Sequence, residues 1–116
     1  MAKPRPRVLI ADNDARRRKA IRLKIGGRAS LIEEADSAEA AGRALARCTK
    51  AYGYVFLDHD FGSASRSGIE LAWLITLLPE SRVPKEVLVH AESPIIADQM
   101  VRILEAAGVR ARRVVV

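Results

Sequence analysis

Three short groups of charged and polar residues could bind a cation or transfer a proton. Each group stands at the end of an apolar run, and the three groups are Asp12-Asn13-Asp14, Asp58-His59-Asp60 and His90-Ala91-Glu92-Ser93. Carboxylates that gather at one place repel each other unless a cation lies among them, and their oxygen atoms suit Mg²⁺ or Mn²⁺. Histidine titrates near neutral pH, so it could protonate a leaving oxygen or activate water. Metal-assisted chemistry is therefore the first hypothesis for these residues.

The apolar runs predict five β-strands that alternate with four helices. The strands are predicted at residues 7–11, 31–35, 54–57, 86–91 and 113–116. The helices are predicted at residues 15–25, 36–48, 67–78 and 94–107, and Trp73 is expected to widen the apolar face of the third. This alternation is typical of a parallel sheet with right-handed crossovers. Because the carboxyl ends of parallel strands meet at one edge of the sheet, we expect the three polar groups to converge there.

The residue pattern also allows structural roles for the same side chains. Asp58 could be a capping or loop residue, and Asp12 and Asp14 could merely cap the helix that follows them. Asp58 and Asp60 would face the same way if their strand continued, and His59 would then point to the opposite side. Either histidine could be structural. These alternatives stay open on the pattern alone.

Composition limits the class of protein. The length of 116 residues fits one domain, residues 1–116, and the 49% hydrophobic content argues against disorder. Cys48 is the only cysteine, which excludes an intrachain disulfide and a thiolate zinc site. No apolar run is long enough to span a bilayer or to act as a signal peptide, so we expect a cytoplasmic protein.

The net charge of +6 allows two interpretations. Clustered arginines and lysines at residues 3–7, 16–28 and 110–113 could form a surface for RNA, DNA or a phosphorylated ligand. They could equally form ordinary solvated surface. Only 4% of the residues are aromatic, so few side chains could stack on single-stranded bases. Charge alone does not assign nucleic-acid binding.

Four segments carry a resemblance to a known family, namely residues 8–14, 32–44, 55–58 and 67–71. They resemble the first strand with its acidic pair, the second strand and helix, the phosphoacceptor strand, and the following helix start of response-regulator receiver domains. The resemblance implies a flavodoxin-like three-layer α/β sandwich whose five-stranded parallel sheet has the order 2-1-3-4-5. It also implies that Asp58 accepts a phosphoryl group, with Asp12 and Asn13 at metal-binding positions.

The chain departs from the receiver pattern in several places. His90 stands where receivers usually have Thr or Ser, and Asn13 replaces one expected acid. The lysine-proline pair expected after the fifth strand is missing, and so is the last helix, because the sequence ends at Val116. We expect apolar surface to stay open where that helix would lie, and to mediate a homodimer or the docking of another protein.

The same departures resemble a related family, the cyclic-phosphate processing receiver-like domains. The segments that carry this resemblance are Leu57-Asp58-His59-Asp60, Ser67-Gly68, His90 followed by Ser93-Pro94, and Met100. The resemblance implies action on cyclic or terminal phosphates, either of a small molecule or of a nucleic-acid end.

The resemblance and the chemistry of these side chains together suggest a role for each candidate. A divalent ion, Mg²⁺ or Mn²⁺, would be held by carboxylates among Asp12, Asp14, Asp58 and Asp60. The candidate catalytic residues are Asp58, His90 and His59. The candidate cofactor-binding residues are Arg16, Arg17, Glu92 and Ser93, of which Arg16 or Arg17 could neutralise the charge of a phosphate.

Three functions stay open at this point. The chain could be a metal-dependent enzyme that processes phosphate esters, a receiver that accepts a phosphoryl group on Asp58, or a catalytically silent receiver-like module that binds a partner. The two histidines favour the first function, whereas the second is supported only by the position of Asp58. Asn13 and the missing lysine favour the third.

Overall fold

The computed structural model describes residues 4–62 and 67–116 as one sheet flanked by helices. Its strands and helices, in chain order, are β1 (Arg7–Ala11), α1 (Ala15–Ile25), β2 (Leu31–Ala35), α2 (Ala38–Arg47), β3 (Tyr54–Leu57), α3 (Gly68–Thr76), β4 (Glu86–Val89), α4 (Pro94–Ala106) and β5 (Ala111–Arg113). The strands are parallel and lie in the order β2-β1-β3-β4-β5. The predicted fold and strand order are therefore confirmed. None of the described helices is long and apolar enough to cross a bilayer.

The ends of the helices follow from local chemistry. Asp14, Ser37, Ser67 and Ser93 each cap a helix by accepting a hydrogen bond from a backbone N–H of its first turn. Gly26 ends α1 with a φ of 56°, which favours glycine. These signals explain why α1 has the predicted bounds.

The two faces of the sheet are covered unequally. Helices α2, α3 and α4 pack side by side on one face, over a large core that includes Leu9, Val55 and Val87. On the other face Ile21 of α1 packs against Val8 and Ile10 of β1. Among the described residues α1 is the only helix on that face, so the half formed by β3, β4 and β5 has no helix over it.

The predicted bounds of the fifth strand are wrong. Residues 113–116 were expected because they are apolar, but the strand is Ala111–Arg113. Hydrogen bonds to β4 run from Val87 N–H to the Arg110 carbonyl and from Val114 N–H to the Val89 carbonyl, so the pairing ends at the first valine of the run. An edge strand has one unpaired side, so exposed arginines fit there as well as valines.

The third helix also differs from the prediction. It ends at Thr76 rather than at residue 78, and Trp73 is 56% exposed instead of packing on the core. Leu71 and Ile75 supply the buried face.

Both edge strands carry charge. In β2, Glu33 pairs with Arg7 at 3.4 Å, and Glu34 pairs with two arginines of α1. In β5, Arg112 and Arg113 are exposed.

Candidate functional site

Three side chains from three strand ends converge at the carboxyl edge of the sheet. The sheet hydrogen bonding continues one residue past each strand: Asp12 N–H donates to the Ala35 carbonyl, Asp58 N–H to the Ala11 carbonyl, and His90 N–H to the Leu57 carbonyl. Asp12, Asp58 and His90 are therefore held by the sheet itself. All three are buried, and one ligand atom from each lies within 4.8 Å of the others.

Arg17 joins the two carboxylates of this cluster. Its Nε lies 2.8 Å from Asp12 Oδ2, and its Nη2 lies 3.1 Å from Asp12 Oδ1 and 3.3 Å from Asp58 Oδ2. Because Asp14 caps α1, Arg17 is the third residue of that helix and lies beside the strand ends. The guanidinium is the counter-ion of both carboxylates, and the fork on Asp12 is the two-point geometry in which arginine binds carboxylates most strongly.

His90 is tied to the same carboxylate. Its Nε2 lies 2.8 Å from Asp12 Oδ2. An ionised carboxylate can only accept hydrogen bonds, so we assign the proton to Nε2. The buried Nδ1 of His90 has no partner among the described residues. In the neutral ring this atom is an acceptor with an unused lone pair.

The two carboxyl groups differ in their pKa. Burial acts to raise the pKa of Asp12, but the hydrogen bonds from His90 and Arg17 outweigh it and lower the pKa from 3.8 to about 2. Burial raises the pKa of Asp58, and the negative charge of Asp12 raises it further. The hydrogen bond to Asp12 in turn raises the pKa of Arg17. Asp12 is therefore a fixed anion, whereas Asp58 takes up a proton more readily than an ordinary aspartate.

A cavity of about 580 Å³ opens above this cluster. The residues that line it are Asn13, Arg17, Asp58, His59, Asp60, Phe61, Gly62, Ser67, Ala91, Glu92, Ser93 and Ile96. Ser93 Oγ accepts a hydrogen bond from Ile96 N–H at 3.3 Å, so the wall beside it is the N-terminal turn of α4. The positive end of a helix dipole favours an anion at this place.

Most of the remaining candidates lie around this cavity rather than in the buried cluster. Asp14 caps α1, and its Oδ2 lies 3.6 Å from Arg17 Nη1. Asp60 is exposed and accepts a hydrogen bond from Gly62 N–H. Glu92 is exposed at the rim, 3.9 Å from Arg17 Nη1. Arg16 is exposed and does not line the cavity.

The two histidines occupy different positions. Since β3 ends at Leu57, the alternation of a continued strand does not apply, and both His59 and Asp60 line the cavity. The buried Nδ1 of His59 also has no partner among the described residues. His90 instead lines a neighbouring cavity of about 390 Å³, together with Arg17 and residues 114–116.

The importance of Gly68 lies in a contact that the motif did not reveal. Gly68 N–H donates to the His59 carbonyl at 2.9 Å, which presses the start of α3 against residues 58–59. A Cβ at this position would overlap the Asp58 carbonyl oxygen and would lie 2.6 Å from His59 Cα. The Ser67-Gly68 pair therefore does two things: serine caps the helix, and glycine allows its close approach to the site.

The buried cluster has the donor atoms of a divalent-cation site. Two carboxylates and an imidazole nitrogen suit Mn²⁺, and the carboxylates also suit Mg²⁺. The guanidinium of Arg17 already bonds to both carboxylates, so a metal ion would compete with it for the same oxygens. The residues fit a metal ion, provided that Arg17 moves away from Asp12 and Asp58.

This competition leads to a prediction for Arg17→Gln. Without the guanidinium, Mn²⁺ no longer has to displace a cation, so we expect its affinity to rise about tenfold, the scale of one lost ionic hydrogen-bond pair. Calorimetric titration with Mn²⁺ measures the change. Arg16→Gln is the matched control, because it removes the same charge one residue away without touching the cluster. An equal effect of both substitutions would show that Arg17 acts only through net charge.

The fold of this chain is similar to that of solved response-regulator domains. No curated protein matches the sequence closely enough to count as a relative. The response regulator domain of Thermotoga maritima CheB is similar over 95% of this chain and 77% of its own, with a TM-score of 0.66 and 18% identity. The N-terminal domain of a response regulator/sensory box/GGDEF protein from Carboxydothermus hydrogenoformans is similar over 94% of this chain and 79% of its own, with a TM-score of 0.66 and 19% identity. At these identities the likeness shows the receiver fold alone.

The family follows from the sequence match together with the site. The Asp-His-Asp strand end, the buried Asp12–Asp58–His90 cluster and the Ser67-Gly68 contact all lie within residues 9–106. That segment matches the family model described as the cyclic-phosphate processing receiver domain, and the chain belongs to this family.

Proposed function

We propose that the protein binds a cyclic or terminal phosphate ester in the 580 Å³ cavity and processes it there. The observation that carries the proposal is the position of Arg17, which bonds to two buried carboxylates and also lines the cavity. A cation held in this way can meet a phosphate without first having to be ordered. The family match to cyclic-phosphate processing receiver domains supports the same ligand class.

Two groups are placed to bind the phosphate. Within the described residues, Arg17 Nη1 approaches only Asp14 at 3.6 Å and Glu92 at 3.9 Å, which are longer than hydrogen bonds. The N–H groups of Arg17 Nη1 are therefore free to donate to a phosphate oxygen. The first turn of α4 offers the backbone N–H of Ile95, because Pro94 has no N–H and the Ile96 N–H already donates to Ser93 Oγ.

His59 is the better candidate for proton transfer. It lines the cavity, and because its Nδ1 is buried, Nε2 is the ring nitrogen that can exchange a proton with a ligand. His90 does not line this cavity, and its Nε2 already bonds to Asp12. We therefore assign proton transfer to His59, and we assign to His90 the orientation of Asp12.

If Arg17 moved from Asp12 and Asp58 towards the bound phosphate, these two carboxylates together with His90 in its other tautomer would hold a Mg²⁺ or Mn²⁺ ion in place of the guanidinium. A bound ion of this kind supplies Lewis-acid polarisation of a phosphoryl oxygen. The chain itself excludes water from the floor of the site by burying all three side chains.

An assay on a small panel of phosphate esters tests the proposal. The panel contains a 2′,3′-cyclic nucleotide, a nucleoside 3′-phosphate and bis(p-nitrophenyl) phosphate, each with and without Mn²⁺. We expect turnover of at least one ester, and we expect His59→Ala to lower kcat/KM about a hundredfold, the usual size of a lost general acid or base. Arg16→Ala should leave the rate unchanged. Wild-type protein that turns over none of these esters, or a His59→Ala variant with full activity, would overturn the proposal.

Phosphorylation of Asp58 is the second candidate function. Its specific support is that the Asp58 carboxylate lies at the end of the central strand β3, with Oδ2 3.3 Å from the guanidinium of Arg17. In this case acetyl phosphate should leave a phosphoryl adduct on Asp58, detectable by intact-mass spectrometry and lost in Asp58→Asn. If neither turnover of an ester nor a phosphoryl adduct is detected, the third function remains, namely a receiver-like module that only binds a partner.

A further inference from the structure

An apolar groove of about 440 Å³ lies on the sheet face that α1 covers only in part. The residues that line this sheet groove are Pro6, Val8, Lys24, Ile25, Arg28, Tyr54, Phe56, Glu86, Leu88 and Arg112. They come from β1, β3, β4 and β5 with the residue before β1, and from the end of α1 with the turn after it; none of them lines the phosphate-ester cavity. The groove therefore lies away from the carboxyl edge that holds the phosphate-ester site, and an inference about it is independent of that function.

The floor of the groove is apolar and belongs to the central strands. Val8 is aligned with Tyr54, and Phe56 is aligned with Leu88 of β4 and beyond it with Arg112 of β5. Tyr54 is 39% exposed and Phe56 is half-buried, although both stand on a strand at the centre of the sheet. Central strands of a parallel sheet normally have both faces covered.

The open area has the width of one helix. Helix α1 lies over β1, and β3, β4 and β5 are the neighbouring strands with no described helix above them. Three adjacent strands span about 10 Å between the outer two. A helix with its side chains is about 10 Å across. One helix laid beside α1 would therefore cover the floor.

The rim of the groove is basic. Lys24 stands in the last turn of α1 and Arg28 in the 3₁₀ turn after it, where its guanidinium donates to the carbonyls of Lys24 and Ile25; both side chains are exposed. Arg112 stands on the opposite side, where its Nε lies 3.6 Å from Glu86 Oε2. Three cations thus surround a floor with one carboxylate, and that carboxylate is already engaged.

The positive charge of the rim distinguishes between the two occupants expected from the sequence, which are a second copy of the chain and another protein. A symmetric dimer would place the same face of two copies together, so that the basic rims would meet each other. The repulsion would add to that between two chains of net charge +6. A partner with carboxylates along an apolar stripe would instead complement both the rim and the floor.

We propose that the sheet groove binds an acidic amphipathic helix of a partner protein. The helix lies over β3, β4 and β5 beside α1. Its apolar side chains contact Phe56 and Leu88, and its carboxylates face Lys24 and Arg28.

The test uses two stapled helical peptides with identical leucine stripes. One carries glutamate on its polar face, and the other carries lysine at the same positions. By fluorescence anisotropy we expect the glutamate peptide to bind wild-type protein at least about tenfold more tightly than the lysine peptide. The double variant Lys24→Glu/Arg28→Glu should reverse this preference. Chemical-shift changes on the wild-type protein should fall on β3, β4 and the end of α1.

A matched variant controls for net charge. Arg47→Glu/Arg102→Glu changes the charge by the same amount at exposed positions of α2 and α4, and it should keep the preference of the wild type. Equal affinity for both peptides would overturn the proposal, and so would shifts confined to the carboxyl edge of the sheet. A wild-type dimer that Phe56→Glu dissociates would also overturn it, because a second copy would then occupy the groove.

Discussion

Gly68→Ala is expected to lower the free energy of unfolding by about 3 kcal/mol, at the upper end of the usual cost of overpacking. The added Cβ would overlap the Asp58 carbonyl oxygen and would lie 2.6 Å from His59 Cα. Both contacts are with backbone, which cannot rotate away as a side chain can. For a chain of this size the midpoint of thermal unfolding should fall by about 10 °C. Thermal melts followed by circular dichroism measure the change.

Gly27→Ala is the control for this substitution. A Cβ at Gly27 would meet no atom within 4 Å, and the residue lies in a short 3₁₀ turn after α1. We expect a change of no more than about 0.5 kcal/mol, as for other surface substitutions. If Gly68→Ala melted at the wild-type temperature, α3 would not be pressed against the Asp58–His59 backbone as the structure has it.

Asp58→Asn is expected to stabilise the fold while it removes the activity proposed above. Burial and the charge of Asp12 raise the pKa of Asp58, so its ionised form is disfavoured in the folded protein. The neutral amide ends the repulsion and can still accept the hydrogen bond that His59 N–H donates to Oδ1 at 2.8 Å. We expect a gain of about 1 kcal/mol at neutral pH, the common size of a single-substitution effect. Chemical denaturation measures the gain, and the phosphate-ester assay measures the loss of activity.

The pH dependence of stability distinguishes the two aspartates. A raised folded-state pKa means that Asp58 stabilises the fold below its ordinary value of 3.8, and that this stability is lost as the pH rises through the raised value. Asp12 has the opposite sign, because its folded-state pKa is about 2. Its contribution is complete above 3.8 and is lost as the pH falls towards 2. Asp58→Asn should therefore remove the loss of stability at rising pH that Asp58 causes, and it should keep the loss at falling pH that Asp12 causes.

Asp60→Asn provides the matched control for Asp58→Asn. Asp60 is exposed, and an asparagine there can still accept the hydrogen bond from Gly62 N–H. Its stability and its pH profile should stay close to those of the wild type. A less stable Asp58→Asn protein at neutral pH would show that the bond to Arg17 outweighs the repulsion from Asp12.

The fold could be predicted wherever local chemistry and apolar pattern agree. Strand β1 and helix α1 have their predicted bounds because Asp14 starts the helix and Gly26 ends it. The fifth strand could not be placed in this way, since an edge strand does not have to bury its side chains. Trp73 was misplaced because helical spacing does not show where a neighbouring element leaves the helix uncovered.

The site could be predicted only as far as topology fixes it. Parallel strands that end in polar residues must bring those residues together, which is why Asp12, Asp58 and His90 could be expected near one another. Whether Arg17 or Arg16 reaches the two carboxylates depends on how α1 is rotated about its own axis relative to the strand ends. The sequence does not give this rotation. The contact of Gly68 with the Asp58–His59 backbone depends on the close approach of α3, which no pattern of side chains reports.

Strand edges with free N–H and C=O groups can pair with strands of other chains, and such pairing is how sheets grow into fibres. Both outer strands of this protein carry charge at those edges, with Arg112 and Arg113 on β5 and Glu33 and Glu34 on β2. An incoming copy of either strand would set like charges beside each other. The charges therefore oppose the addition of another copy of the chain at either edge of the sheet.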